Sequence, residues 1–372
     1  MRVVHIIDSG GYYGAEVMLV HLCQAQIDLG LDVEVISIGT LGDYEKPLEK
    51  KLRENAIPFR VWRMRALPDF RESLKIIKYC KETSTDIVHS HGYKGNILLG
   101  LLPRRWRQIP IASTLHGYTH PKRFSKMALN QWLDKFCLAR LDAVILVSEG
   151  MRHQAPAYHA PKPHIIANGI PEVVPSEATQ TIKYFTKESF NIGAIGRLSY
   201  EKNFQLLIRS MPSILQVKPN TKLVIYGEGT ERVKLETLIR QLSLEDVVFL
   251  PGYIEEPARL FQHADVFVNC SITEGMPITL LEALRAGCPI VASDITANRS
   301  LLSELNNGTR LVSFSEQEFA KAILSIATMS SEEQEASRNQ AIHRFKNNHT
   351  SAGMAKKYYS VYSLIFRPNT SR

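Results

Sequence analysis

The 372-residue chain lacks any apolar stretch of about 18 residues or more, so no membrane-spanning helix is expected. Its opening MRVVHIIDSGG reaches glycine too soon for the apolar core of a secretory signal, which places the protein in the cytosol. Cysteine is scarce. Cys23, Cys80, Cys137, Cys270 and Cys288 are odd in number and form no CxxC pair, a pattern that predicts buried free thiols. There is no short internal repeat or low-complexity tract, no prominent DxD-type acidic pair, and no aromatic-basic or helix-turn-helix signature, so nucleic acid is not an expected partner.

What is present suits a packed enzyme. Hydrophobic residues make up 44% and charged residues 22%, which excludes a disordered or fibrous chain. The length exceeds one ordinary core and suits two domains with a cleft between them. The net charge of +8 is carried almost wholly by the first 170 residues. Within them, 101–126 holds Arg104, Arg105, Arg107, Lys122, Arg123 and Lys126 with no acid, near Trp106 and Phe124. Such a patch fits an anionic membrane surface, or simply a solvated face.

Strand and helix patterns alternate. Val3–Ile7, a glycine turn, a helical pattern through Leu19, Leu22, Ala25 and Leu29, and Val33–Ile38 make a βαβ opening. An apolar-faced helix at Leu74, Ile77 and Lys81 leads to a strand at Asp86–His89, and Ile111–Leu115 and Ala143–Val147 follow. Pro171–Ser189 reads as a connector. A second series then has strands at Asn191–Ile195, Lys222–Tyr226, Val247–Leu250, Val266–Asn269 and Pro289–Ala292, with helices at Leu206–Leu215 and Leu235–Leu242 between them. The pattern predicts an α/β protein with two Rossmann-like domains facing across a cleft, 1–175 and 176–350, and a tyrosine-rich helix and tail, 351–372, returning to the first domain.

Four places could carry chemistry. Gly10-Gly11-Tyr12-Tyr13-Gly14 lies between a strand and a helix whose N-terminus offers N–H groups to a phosphate, though the spacing is not GxGxxG. In Gly196-Arg197-Leu198-Ser199-Tyr200-Glu201-Lys202, Arg197 and Lys202 stand after a strand of the second domain, where parallel strands point at a ligand crevice; two cations there suit a diphosphate. A surface pairing with Glu201 is the alternative. In Glu274-Gly275-Met276-Pro277-Ile278-Thr279-Leu280-Leu281-Glu282, two carboxylates flank a loop and helix start at about Ile278–Leu280, where they could accept from sugar hydroxyls. His116 ends a strand and could hydrogen-bond a hydroxyl or a developing charge. His89 and His91 form an HxH pair without a carboxylate cluster, so no metal is expected.

These landmarks resemble the family four glycosyltransferases over most of the chain. The most specific is the Glu-x7-Glu segment from Glu274 to Glu282 with ALRAGCPIVAS after it and GRLSYEK before it; THG at Thr114, VSEG at Val147, ANG at Ala167 and YGEG at Tyr226 stand in family order. The resemblance implies a GT-B fold and retaining transfer of a sugar from a nucleotide diphosphate-sugar, UDP- or GDP-linked, without a cofactor. It implies that Arg197 and Lys202 hold the diphosphate, that Glu282 binds the ribose, and that Glu274 faces the transferred sugar with backbone from Gly275, Met276, Pro277, Ile278, Thr279 and Leu280. Gly11 and Gly14 would admit the phosphates, His116 would meet the sugar, and Gly227 with Tyr253 and Ile254 in the turn from Pro251 would wall the base. Two departures stand out: many members read EGFGL at Glu274–Ile278, and many have glycine at Asn203.

With no evident nucleophilic acid in the first domain, same-face substitution is preferred, the departing phosphate oxygen taking the acceptor proton. A saccharide or lipid-linked acceptor is expected beside Tyr12, Tyr13, 93–96 and 116–126, at the inner face of the membrane and in surface-polysaccharide synthesis. The alternatives are a GT-B nucleotide-sugar epimerase and a non-catalytic basic module that binds membranes.

Overall fold

The computed structural model describes residues 1–65, 69–117, 126–154, 163–172, 182–254 and 256–366. The chain divides into two compact units, one built from Met1–Pro171 with the segment from Thr350 onward, the other from Glu172–His349.

The first unit holds seven parallel strands: β1 Arg2–Asp8, β2 Asp32–Thr40, β3 Phe59–Met64, β4 Ile87–His91, β5 Ile111–Leu115, β6 Ala143–Leu146 and β7 His164–Ile165. Their order is β3-β2-β1-β4-β5-β6-β7. β4 and β5 are buried along their whole length and β1 at all but its two ends. The second unit repeats the plan with β8 Phe190–Ile195, β9 Thr221–Tyr226, β10 Val248–Gly252, β11 Val266–Asn269, β12 Ile290–Ser293 and β13 Thr309–Val312, ordered β10-β9-β8-β11-β12-β13. In each sheet the order reverses beside the first strand, between β1 and β4 and between β8 and β11. The loops leaving those strands diverge there and open a crevice at the carboxyl edge.

Three strands absent from the sequence reading, β3, β7 and β13, all lie at sheet edges. β3 alternates Arg60 and Arg63 with Val61 and Trp62 and is mostly accessible, so it carries no apolar run. The helix Phe70–Glu82 exists, but its buried face is Ser73, Ile76, Ile77 and Cys80; Leu74 is exposed and Lys81 donates to the Trp106 carbonyl. Asp69 caps it, accepting from the Arg71 and Glu72 amides. All five cysteines are buried free thiols.

The chain returns to the first unit at Thr350. Ser351 N–H donates to the Ile170 carbonyl, and the helix Ser351–Ile365 packs against the helix Gly14–Asp28, burying Tyr358 and Tyr362 completely. In the second unit the loops after β8, β9 and β10 interlock: Gly196 N–H bonds the Tyr226 carbonyl, Gly227 N–H the Gly252 carbonyl, and Leu198 N–H the Glu228 carbonyl. Gly227 has φ +147°, and a Cβ there would sit 1.9 Å from the Gly196 carbonyl oxygen. Gly227→Ala is therefore expected to destabilise the protein by about 1–3 kcal/mol. A urea midpoint equal to wild type would contradict this packing.

Candidate functional site

In the second unit the chain leaves β8 through Gly196 and an exposed Arg197, turns once at Tyr200–Lys202, and enters the helix Phe204–Val217. Asn203 joins turn to helix in the left-handed region, φ 52° and ψ 36°. That conformation explains why relatives can carry glycine there, and asparagine tolerates it better than most residues. Two bonds tie this turn to the loop after β11: Ile272 N–H to the Glu201 carbonyl at 2.8 Å, and the Cys270 thiol to the Lys202 carbonyl at 3.2 Å. They force the side chains together. Lys202 Nζ lies 2.5 Å from Glu274 Oε1, and the Ser271 hydroxyl donates to the same oxygen at 2.7 Å. Oε2 accepts nothing from a described residue. The alternative pairing of Lys202 with Glu201 does not form among the described residues, Lys202 pairing with Glu274 instead; the Glu201 carboxyl is held low first by its own backbone and the Ser199 hydroxyl, with Arg197 and Lys202 adding weaker attraction.

Ser271 is fixed in turn. Its carbonyl accepts from the Ser293 hydroxyl at 2.6 Å, and Asn298 Nδ2 bridges the Ser293 carbonyl and Asn269 Oδ1. Sequence reasoning missed these four polar residues, since no motif spacing marks them. Past Glu274, Gly275 and Met276 lead to Pro277, the residue before the helix Ile278–Ala286; its φ of −72° suits proline. No described residue accepts from the Ile278 or Thr279 amides, which leaves donors at this helix start, just before Leu280. Glu282 follows on the helix, half-buried, without a hydrogen bond from a described residue. Burial pushes its carboxyl up to about 7, against the pull of Arg285. Of the expected base wall, Gly227 is locked as described, Tyr253 is exposed and Ile254 half-buried.

In the first unit, Gly11 sits in the turn after β1 and Gly14 is the first residue of the helix Gly14–Asp28. That helix start is less open than its sequence suggests: Glu16 Oε2 already accepts from the Tyr13 amide at 3.0 Å. Asp8, at the end of β1, is held by Lys46 at 2.6 Å and by Lys94. Beside it runs a buried polar chain. His5 Nε2 is 2.8 Å from Gln26 Oε1, and His5 Nδ1 is 2.9 Å from His91 Nε2. His91 Nδ1 is 3.3 Å from His116 Nε2. His89 contacts the Tyr362 hydroxyl at 2.5 Å and the Thr114 hydroxyl at 2.8 Å, and Thr114 is 3.0 Å from the Tyr358 hydroxyl. Burial drives His5 and His116 down to about 4 and His89 and His91 well below the ordinary imidazole range. The ring nitrogens of His5, His89 and His91 come within 4.8 Å of one another, a spacing that could hold a cation. All six already take part in hydrogen bonds, so a cation there would have to displace them.

The basic patch changes character. Arg107 is buried, its guanidinium donating to the Arg140 carbonyl at 2.8 Å, so it is no surface cation. Arg104 pairs with Asp142, an acid just beyond the segment. Lys122, Arg123 and Phe124 lie outside the described residues. Arg104, Arg105 and Trp106 are exposed, as are Met127, Leu129, Trp132 and Phe136 on the helix Lys126–Leu138.

Two parallel α/β units with this strand order define the two-domain GT-B class of fold. The profile for Glycosyltransferase Family 4 matches residues 12–172 and that for Glycosyl transferases group 1 matches 177–344, so between them the chain is covered almost end to end: it belongs to the group 1 glycosyltransferases. It is similar to the Escherichia coli UDP-Gal:alpha-D-GlcNAc-diphosphoundecaprenol alpha-1,3-galactosyltransferase, 27% identical over 73% of this chain and 73% of that one. It is also similar to the Streptococcus pneumoniae alpha-monoglucosyldiacylglycerol synthase, 27% identical over 73% of this chain and 66% of its relative. The crystal structure of Anabaena Alr3699/HepE in complex with UDP and glucose superposes with a TM-score of 0.81 at 18% identity, covering 98% of this chain and 100% of the other. The chain is thus a glycosyltransferase, for which a nucleotide-sugar is substrate and not a resident cofactor. The epimerase alternative gains nothing from these relatives.

The Glu282 carboxyl gives a pH test. Raised from 4.5 to about 7, it binds a proton in the folded chain that the unfolded chain has lost, so its contribution to stability falls as pH rises through that window and is gone above it. Glu282→Gln should remove this slope and melt higher than wild type above pH 7 in the absence of nucleotide. Parallel melting curves for the two proteins between pH 5 and 8 would overturn the assignment of burial as the cause.

Proposed function

We propose that the chain is a retaining, metal-independent transferase that moves a hexose from a UDP-sugar to a lipid-linked or saccharide acceptor in surface-polysaccharide synthesis. The observation that carries this reading is the Lys202–Glu274 pair: both contacts to the carboxylate land on Oε1, and Oε2 is left to accept from a sugar hydroxyl beside the donor-rich start of the helix Ile278–Ala286. Lys202 has three N–H donors, so it can hold Glu274 and still reach a phosphate oxygen. Arg197 supplies the second cation, and Glu282 meets the ribose. UDP is favoured over GDP by the E. coli relative's UDP-galactose and the UDP held by the Anabaena neighbour.

In same-face substitution the bond from the anomeric carbon to the phosphate oxygen breaks as the acceptor oxygen bonds to that carbon, and the acceptor proton passes to the departing phosphate. Arg197, Lys202 and the helix amides neutralise the charge that develops. A double displacement would need a free carboxylate. Asp8, the acid at the end of β1, is engaged by Lys46 and Lys94. Work at the inner face of the membrane is supported by the helix Lys126–Leu138, whose Leu129, Trp132 and Phe136 are exposed in one stripe while its acid, Asp134, is buried against Asn96. No helix among the described residues is long and apolar enough to cross a membrane.

Lys202→Ala and Arg197→Ala should each cost on the order of 10²-fold or more in turnover, the scale of losing a transition-state charge partner. Glu274→Ala should lower kcat, whereas Glu282→Ala should mainly weaken UDP binding. Negligible losses from all four would remove the site. Turnover should survive EDTA; complete loss restored by Mn²⁺ would contradict metal independence. The double variant Trp132→Ser with Phe136→Ser should reduce co-sedimentation with anionic vesicles at low salt, and equal recovery from neutral vesicles, or from none, would favour a soluble acceptor.

A further inference from the structure

The buried chain around His5 has a single direction. Gln26 Nε2 donates to the Tyr362 phenol oxygen at 3.2 Å, and its Oε1, which can only accept, faces His5 Nε2 at 2.8 Å, so that nitrogen carries the proton; the phenol's own hydrogen is left for His89 Nδ1. A neutral imidazole has one donor and one acceptor, so each ring passes the direction on. His5 Nδ1 accepts from His91 Nε2, and His91 Nδ1 accepts from His116 Nε2. Burial keeps these rings neutral, because a second proton on any of them would cost desolvation and repel its neighbours. At the end of the chain His116 Nδ1 is bare, and no described residue donates to it.

We propose that Gln26, His5 and His91 are positioning residues that hold His116 as its Nε2–H tautomer, so that Nδ1 accepts a hydrogen bond from a substrate hydroxyl. His116 then favours a neutral hydroxyl and disfavours an anionic oxygen, to which a bare nitrogen has nothing to offer. Its contact with substrate rests on the proposed sugar transfer, with His116 meeting the sugar as the family resemblance implies; its tautomer does not. The orienting groups come from far along the sequence, Tyr362 from the last helix and Gln26 from the first.

Nitrogen-15 NMR of the full chain labelled at histidine tests this, the His116 signals being assigned with His116→Ala. At neutral pH His116 is expected to show a protonated Nε2 and an unprotonated Nδ1. Tyr362→Phe removes the phenol oxygen that accepts from Gln26 and fixes its amide, four links away; it should mix the two tautomers at His116 and lower kcat by about three- to tenfold, the scale of one net hydrogen bond, with donor KM unchanged. A merely structural role would lower the melting temperature and leave the nitrogen pattern alone. A proton on His116 Nδ1 in wild type overturns the chain's direction, whether or not the variant folds, and an unmoved pattern in folded Tyr362→Phe overturns its control of His116. Full turnover in His116→Ala would instead overturn the contact with substrate, leaving the wild-type spectrum as a separate measurement.

Discussion

The constraint on which the rest depends is that every strand in each sheet runs the same way while the strand order reverses next to the first strand. All carboxyl ends then share one edge, and only where the order reverses do neighbouring loops part. In the first unit this point lies between β1 and β4, whose register sets His5 opposite His89 and Ile7 opposite His91. In the second it lies between β8 and β11, whose following loops carry Lys202 and Glu274. A residue moved to the other end of either sheet would keep its burial and lose its chemistry.

The two candidate sites hold polar groups by opposite means. The first uses neutral imidazoles, hydroxyls and an amide, each bonded to the next, so no charge enters that run, although the same unit buries Glu49, Arg107 and Asp134 elsewhere. The second accepts charge but leaves it partly solvated and paired, as between Lys202 and Glu274, or exposed at Arg197. Glu282 is the exception, a carboxyl with no hydrogen bond from a described residue, pushed up by burial against the pull of Arg285. An unpaired acceptor of this kind is stable enough to fold yet gains from any hydroxyl donor that reaches it.

Legibility in the sequence followed burial. Central strands such as Ile111–Leu115 and Val266–Asn269 were visible to the residue, because coverage on both faces demands an unbroken apolar run. Edge strands β3, β7 and β13 were not: β3 and β13 carry arginines among their apolar residues, and β7 is only two residues long. Burial also misled where a side chain defied its type: Leu74 faces solvent, and Arg107 hides by bonding a carbonyl. Glu274, Glu282 and Lys202 could be picked out by position after strands and by family resemblance, but their pairing spans 72 residues and has no local signature. The histidine chain is harder still. His89, His91 and His116 stood out singly, whereas Gln26 and Tyr362, 336 residues apart, gave no sign that they close it.

The return of the helix Ser351–Ile365 to the first unit bears on how the protein is made. During synthesis the ribosome releases the first seven strands long before Tyr358 and Tyr362 exist, so the nascent sheet holds His89 with one ring nitrogen unanswered. The second unit can finish independently in the meantime. Only once this helix has emerged does His89 gain its second partner and Thr114 its bond to Tyr358, so a chain stopped short of it would keep Lys202 and Glu274 paired and leave the histidine side without its phenols.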